Sequence, residues 1–438
     1  MLSTLKSRLA SSQWLLIIYA SSAAFMTYFS MYAFRKPFTA TAYLGVEGWE
    51  FALDYKVALV LSQVFGYLLS KFIGIKVVSE MPASRRACSI LILVLLSEVA
   101  LIAFAVLPAP YNVVCLFFNG LPLGMIWGLV FAFLEGRRVT EVLGACLSIT
   151  FIVASGWVRS IGRYLIVEWQ VPELWMPALT GVIFIPLLLI SVLGLAKLPP
   201  PDAKDIAMRA ERVPMDAKAR WAFFSRYALG LVLLVLSFTL LTGLRDFRDN
   251  FEAELWQALG FGRESNLFAY TGVRVALLVS VVLGAMVLIR SNIKALFANH
   301  FVILFGIGLF GLSTWCFELG LLEAKTWMIM LGAGIYIAYI PYNCFLYDRL
   351  IASLGVTANA GFLIYLSDSA GYLGSVGILL YRTFSQADMS WLDFFITTTY
   401  GVAVVSASLV AMSLVYFSGI LSRRQPDIAP SHSLISIK

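Results

Sequence analysis

Histidine is almost missing from this chain: two occur in 438 residues, His300 at the edge of an apolar run and His432 in the polar tail. Histidine-based metal catalysis and serine–histidine chemistry therefore lack their parts, and no metal or cofactor is expected. Charge is scarce too, at 13% Asp, Glu, Lys and Arg against 60% hydrophobic residues. A soluble domain of this length needs far more polar surface. The five cysteines, Cys88, Cys115, Cys146, Cys316 and Cys344, all lie inside apolar segments and none forms a C-x-x-C pair. They read as small buried hydrophobes, not as a disulfide framework. No cleavable signal precedes the first apolar run; residues 1–10 are a short basic lead-in.

What the chain has instead is long apolar runs. A bilayer core takes about twenty apolar residues per helix. Runs of that size recur near 14–34, 56–76, 87–107, 111–134, 143–166, 175–196, 225–245, 268–290, 300–322, 326–347, 359–381 and 391–421. The expected fold class is an all-α membrane protein of about twelve transmembrane helices in two pseudo-symmetric six-helix halves. The polar stretch 197–224, with Pro199–Pro201 and many charges, separates the halves 1–196 and 225–421, and a polar tail occupies 422–438. Eleven Trp fit interfacial belts.

The net charge of +7 is a topology signal. Lys6, Arg8, Lys76, Arg85, Arg86, Arg137, Arg138, the basic residues of 197–226, Arg290, Lys294, Arg349, Arg423 and Arg424 fall on one side. Glu47, Glu50, Asp54, Glu168, Glu173, Glu252, Glu254, Glu318, Glu323 and Asp388 fall on the other. The positive-inside rule places both termini and the linker in the cytoplasm of a bacterial inner membrane. The bilayer, not nucleic acid, is the partner this implies, and the chain is expected to act as a monomer.

The halves resemble each other. "FRKPF" (34–38) matches "FRDNF" (247–251), "YKVALVLS" (55–62) matches "VRVALLVS" (273–280), "FAFLEGRR" (131–138) matches "NCFLYDRL" (343–350), and "ASGWVRSIG" (154–162) matches "SAGYLGSVG" (369–377). Four matches in one order at similar offsets point to parallel repeats, the plan of the major facilitator superfamily, whose substrate site lies between the halves near mid-membrane.

The loop Gly74-x5-Glu80-x4-Arg85-Arg86 resembles a degraded form of that superfamily's signature, which would tie helix ends together at the cytoplasmic gate. A second likeness is to the organophosphate:phosphate antiporters. Tyr32, Arg35 and Lys36 in "MYAFRKPF", the stretch Ser70, Lys71, Phe72 and Ile73, and the pair Leu244 and Arg245 resemble that family's motifs in spans one, two and seven. The resemblance implies two arginines, one from each half, that bind phosphate. The family's span-five histidine falls near Ala154 here, a departure that bears on the substrate and the exchange stoichiometry.

Charges within spans are costly, at least about 2.5–3.5 kcal/mol each, and so mark candidates for a cavity. Arg35 reads either as a cavity ligand or as a rim residue that snorkels. Lys71 is a ligand or a cytoplasmic-end lysine. Arg245 and Arg248, three apart, share one face and supply the planar fork that matches phosphate or carboxylate; a solvated helix end with ion pairs to Asp246 and Asp249 is the other reading. Arg159 and Arg163 line a cavity or pair with an acid, and Lys56 and Arg274 read as interfacial. Asp368 carries a coupling proton or neutralises a cavity arginine, the latter being preferred. Glu98 is a protonated or paired structural residue. Tyr336 and Tyr339 offer hydroxyls from one face of span ten, or simply pack. Glu135 with Arg137, and Asp348 with Arg349, read as gate ion pairs.

The expected function is a secondary transporter for a small or medium organic anion, phosphorylated or phosphonate included, driven by a counter-anion or a proton. The alternatives are a proton-coupled carrier of a larger solute, such as a siderophore or sugar-peptide, and more remotely an intramembrane enzyme, channel or receptor.

Overall fold

The computed structural model describes residues 9, 11–79, 81–135, 137, 139–202, 205, 217–356, 358, 360–386 and 388–424. Among these every regular element is helical. The first half comprises α1 (Gln13–Tyr32), a 3-10 turn (Pro37–Ala40), α2 (Tyr55–Ser79), α3 (Ala83–Val106), α4 (Asn112–Leu123), α5 (Ile126–Leu134), α6 (Thr140–Val167) and α7 (Met176–Ala196). The short α8 (Ala217–Arg226) begins inside the linker. The second half comprises α9 (Ala228–Ala258), α10 (Leu267–Val287), α11 (Asn292–Glu318), α12 (Ala324–Cys344), α13 (Leu346–Leu354), α14 (Ala360–Ser385) and α15 (Trp391–Arg424).

Eleven of the described helices, α4 and α5 taken as one, are long and apolar enough to span a membrane. The pair α12–α13, bent by 47°, makes up to twelve. Pro341 lies inside α12 and removes a helical donor one turn before that bend. Gly355 then ends α13 at φ +56°, a conformation that favours glycine. The face of the bundle that carries the linker is called here the linker face, and the opposite one the far face.

Local sequence explains how closely the helices pack. A Cβ on Gly66 would stand 2.1 Å from the Phe117 carbonyl oxygen, and one on Gly120 would stand 2.3 Å from that of Gln63. Only glycine at both positions lets the backbones of α2 and α4 approach this closely. Between halves the closest crossing is α6 on α10, where Gly156 lies under the Phe268 carbonyl at 2.3 Å for a built Cβ. Elsewhere α2 of the first half meets α14 of the second.

Two expectations need correction. Span seven does not end near 245: α9 has 31 residues and runs to Ala258, broken in conformation only at Phe251 (φ −113°, ψ 19°). At 1.5 Å per residue it is about 46 Å long, well beyond a hydrocarbon core of about 30 Å. Glu252 and Glu254 are therefore helical residues rather than loop acids. Lys56 is not interfacial either. Its side chain is 1% exposed and its Nζ lies 2.6 Å from Glu254 Oε1, a partner 198 positions away that no local pattern shows.

Candidate functional site

Arg35 follows the end of α1, where helical bonding stops before Pro37. Its guanidinium carbon lies 4.0 Å from the centroid of the Tyr67 ring and 5.8 Å from that of Tyr32. No ion pair forms to it among the described residues, and its buried Nε has no hydrogen-bond partner. A cation over a ring gains about 0.5–2 kcal/mol, whereas desolvating a charge costs several kcal/mol. The Arg35 side chain is half-buried, so its guanidinium is only partly desolvated.

The second half presents a counterpart. Arg245 on α9 stacks on Tyr339 of α12, also at 4.0 Å, but carries its own carboxylate, Asp246, at 2.5 Å. Asp246 also accepts a hydrogen bond from Ser375 on α14 at 2.7 Å.

On the linker side of Arg35, α2 and α14 cross. Tyr67 meets Tyr372 with ring centroids 5.5 Å apart, and Lys71 Nζ lies 3.9 Å from Asp368 Oδ2. Tyr67 and Lys71 are four apart on one helix, as are Asp368 and Tyr372 on the other, so each pair shares a face. That spacing is the signal in the sequence by which Tyr67 and Tyr372 could be found.

On the far side of Arg35 the halves are joined by charge. Arg159 Nη1 lies 2.7 Å from Glu252 Oε2 and donates to the Asp249 carbonyl at 2.8 Å. Lys36 Nζ donates to Asn250 Oδ1 at 2.7 Å, and Arg163 donates to the Gly262 carbonyl at 2.5 Å. Arg248 stays within its own half, 3.1 Å from Asp249 and 3.7 Å from Glu252. Tyr336 donates to Asp249 Oδ2 at 2.5 Å. Arg159, Arg248 and Tyr336 thus stand together around Glu252 and Asp249, lining one recess with Ser155 and Thr271, while Arg35 with Tyr32 and Tyr67, Lys71 with Asp368, and Arg245 with Tyr339 make their contacts outside it.

At the linker face Arg86 donates to the Ala132 carbonyl at 2.7 Å and Arg137 to the Pro199 carbonyl at 2.5 Å. Arg349 on α13 donates to Asn292 Oδ1 at 2.7 Å. Each ties helix ends within a half or to the linker. Arg85 and Asp348 are exposed, Glu135 is half-buried, and Glu80 lies outside the described residues. Glu98 is buried in α3 with neither carboxylate oxygen hydrogen-bonded, so the paired reading of it has no partner among the described residues. His300 is buried, its Nδ1 2.9 Å from the Leu296 carbonyl. No group of three or more metal-ligating side chains occurs among the described residues.

This helical arrangement is the major facilitator fold. Among similar solved structures are a D-xylose–proton symporter (11% identity, 92% of this chain and 96% of that chain, TM-score 0.57), a bacterial homologue of the human drug peptide transporters PepT1 and PepT2 (14%, 93% and 98%, TM-score 0.60) and the nucleoside transporter NupG (14%, 92% and 99%, TM-score 0.60). Residues 37–419 match DUF5690, a family of unknown function, and the chain belongs to that family. Comparison with curated proteins gives no match.

Proposed function

We propose that this protein is a secondary transporter that carries a small organic anion across the bacterial inner membrane by alternating access, with the linker face and both termini in the cytoplasm. The observation that supports this most is Arg35, a guanidinium between the halves that no carboxylate neutralises among the described residues. With it on the linker side stand Lys71 and Arg245, three basic side chains against the two acids Asp246 and Asp368. The excess of one positive charge is matched by an anion. The fork geometry of arginine favours phosphate, phosphonate or carboxylate over a point charge.

In this reading the far-side cluster and the α2–α14 crossing act as the two gates. Arg159, Glu252, Lys36 and Asn250 hold the far face shut. Opening the linker face separates Lys71 from Asp368 and Tyr67 from Tyr372, and the rocking of the halves exchanges one closure for the other. Either a counter-anion or a proton drives the cycle. The fold neighbours named above are transporters by their descriptions, which supports the class and leaves the solute to the site.

The test is a thermal-shift series on purified protein with inorganic phosphate, glycerol 3-phosphate, 2-aminoethylphosphonate and succinate. A ligand that binds the folded state raises the melting temperature. At least one anion is expected to do so in the parent and not in Arg35→Met. Shifts by neutral sugars alone would overturn the anion reading.

A further inference from the structure

The chain beside Arg35 breaks a rule of membrane interiors, that every backbone polar group finds a partner in its own helix. The α-helical bonding of α1 does not continue through Pro37, where a 3-10 turn begins, so the carbonyls just upstream lose donors that a continuing helix would supply. The carbonyl of Phe34, whose side chain is fully buried, and that of Arg35 are left inside the bundle. Two side-chain amides take them instead. Asn119 Nδ2 of α4 donates to the Phe34 carbonyl at 2.9 Å, and Gln63 Nε2 of α2 donates to the Arg35 carbonyl at 3.0 Å.

These amides are themselves fixed. Gln63 Nε2 also donates to Asn119 Oδ1 at 2.7 Å, and Asn119 Nδ2 reaches Ser97 Oγ of α3 at 2.5 Å. All three residues are buried, at 5% exposure or less. The close approach of α2 and α4 at Gly66 and Gly120 brings the two amides within reach of each other. Three helices of one half therefore hold two consecutive carbonyls of a segment that has left the helix, and the second of these belongs to the arginine that stacks on Tyr67.

We infer that Gln63 and Asn119 are positioning residues that set the place of the Arg35 guanidinium, and through it the affinity of the site for an anion. The affinity part rests on the functional reading above; the positional part does not. A polar network in an apolar surrounding holds its geometry tightly, because each unmade bond leaves a buried group unsatisfied. Had the network served only to stabilise the fold, its loss would lower stability and leave the guanidinium over Tyr67.

The experiment uses full-length protein in nanodiscs with Gln63→Met, which keeps side-chain length and removes both donors, and Ser97→Ala, which touches only the outer end of the network. Ligand-free cryo-EM reads the Arg35 position, and thermal shift with inorganic phosphate, glycerol 3-phosphate, 2-aminoethylphosphonate and succinate reads binding. Gln63→Met is expected to move the guanidinium carbon from 4.0 Å to more than about 6 Å from the Tyr67 centroid, out of cation–π range. It is also expected to weaken the binding anion about tenfold, while Ser97→Ala changes both less. Should Gln63→Met fail to fold, Asn119→Asp, which keeps the shape but loses the donor, is read in the same way. A guanidinium that stays over Tyr67 in the variant overturns the positioning role, whatever the anions do. If the parent binds none of the anions, the functional reading fails with the affinity part, and the Arg35 position still decides the rest.

Discussion

Arg159 of α6 and Glu252 of α9 form an ion pair 2.7 Å long between the two halves, with exposures of 3% and 1%. Removing one partner of a buried pair costs about 3–5 kcal/mol, enough to change a two-state ratio a hundredfold or more. In the alternating-access cycle proposed above, the pair is the contact that biases the molecule toward a closed far face.

Glu252→Gln should release that bias. With spin labels at Leu44→Cys and Leu321→Cys, two exposed far-face positions in different halves, in a cysteine-free background, the inter-label distance is expected to gain a longer population. An unchanged distance distribution would show that the pair stabilises the fold without setting the state.

Asp368→Asn leaves Lys71 without its carboxylate, 3.9 Å away in the parent. Both uphill accumulation and counterflow exchange of a bound anion are expected to fall, since a positive charge is left unpaired at the crossing. Exchange that survives while accumulation is lost would assign Asp368 to the driving proton instead.

Gly66→Ala places a Cβ 2.1 Å from the Phe117 carbonyl oxygen, where backbone on both sides blocks relief. Overpacking of this kind costs about 1–3 kcal/mol or more. The variant should lose several degrees of melting temperature in detergent, or fail to fold. Gly308→Ala, whose added Cβ meets nothing within 4 Å, serves as the control and should be neutral.

The apolar runs marked the spans because about twenty consecutive residues of low polarity match the thickness of a bilayer core. The inner ends were harder to read. Glu252 and Glu254 carry charges that look like loop acids, and their partners Arg159 and Lys56 lie in the other half, where no local pattern shows them. In the sequence the internal repeat pairs Arg35 with Arg248, whereas the antiporter likeness picks Arg245. The structure separates them through Asp249 and Glu252, which hold Arg248, and Tyr339, which lies under Arg245. Gln63 and Asn119 left no trace in the sequence, because a lone amide in an apolar run does not show that its donors are spent on carbonyls freed by Pro37.

Orientation rests on charge bias and is open to direct test. In a cysteine-free background, Ser84→Cys at the linker face should resist an impermeant maleimide in intact cells and react after lysis. Leu44→Cys at the far face should react in both. The reverse pattern would invert the membrane sidedness and the assignment of both gates.

The central claim is that arginines from the two halves bind an anion that the protein moves. The most direct measurement is uptake of the radiolabelled anion selected by thermal shift into proteoliposomes, with binding measured in parallel, for the parent, Arg35→Lys, Arg245→Lys and Arg248→Lys. Lysine keeps the charge and loses the bidentate fork. The first two variants are expected to bind at least about tenfold more weakly and to transport correspondingly less, with Arg248→Lys milder, because Asp249 and Glu252 already occupy that guanidinium. Parent-like binding and uptake in both Arg35→Lys and Arg245→Lys would contradict the account and leave these arginines as structural residues of the fold.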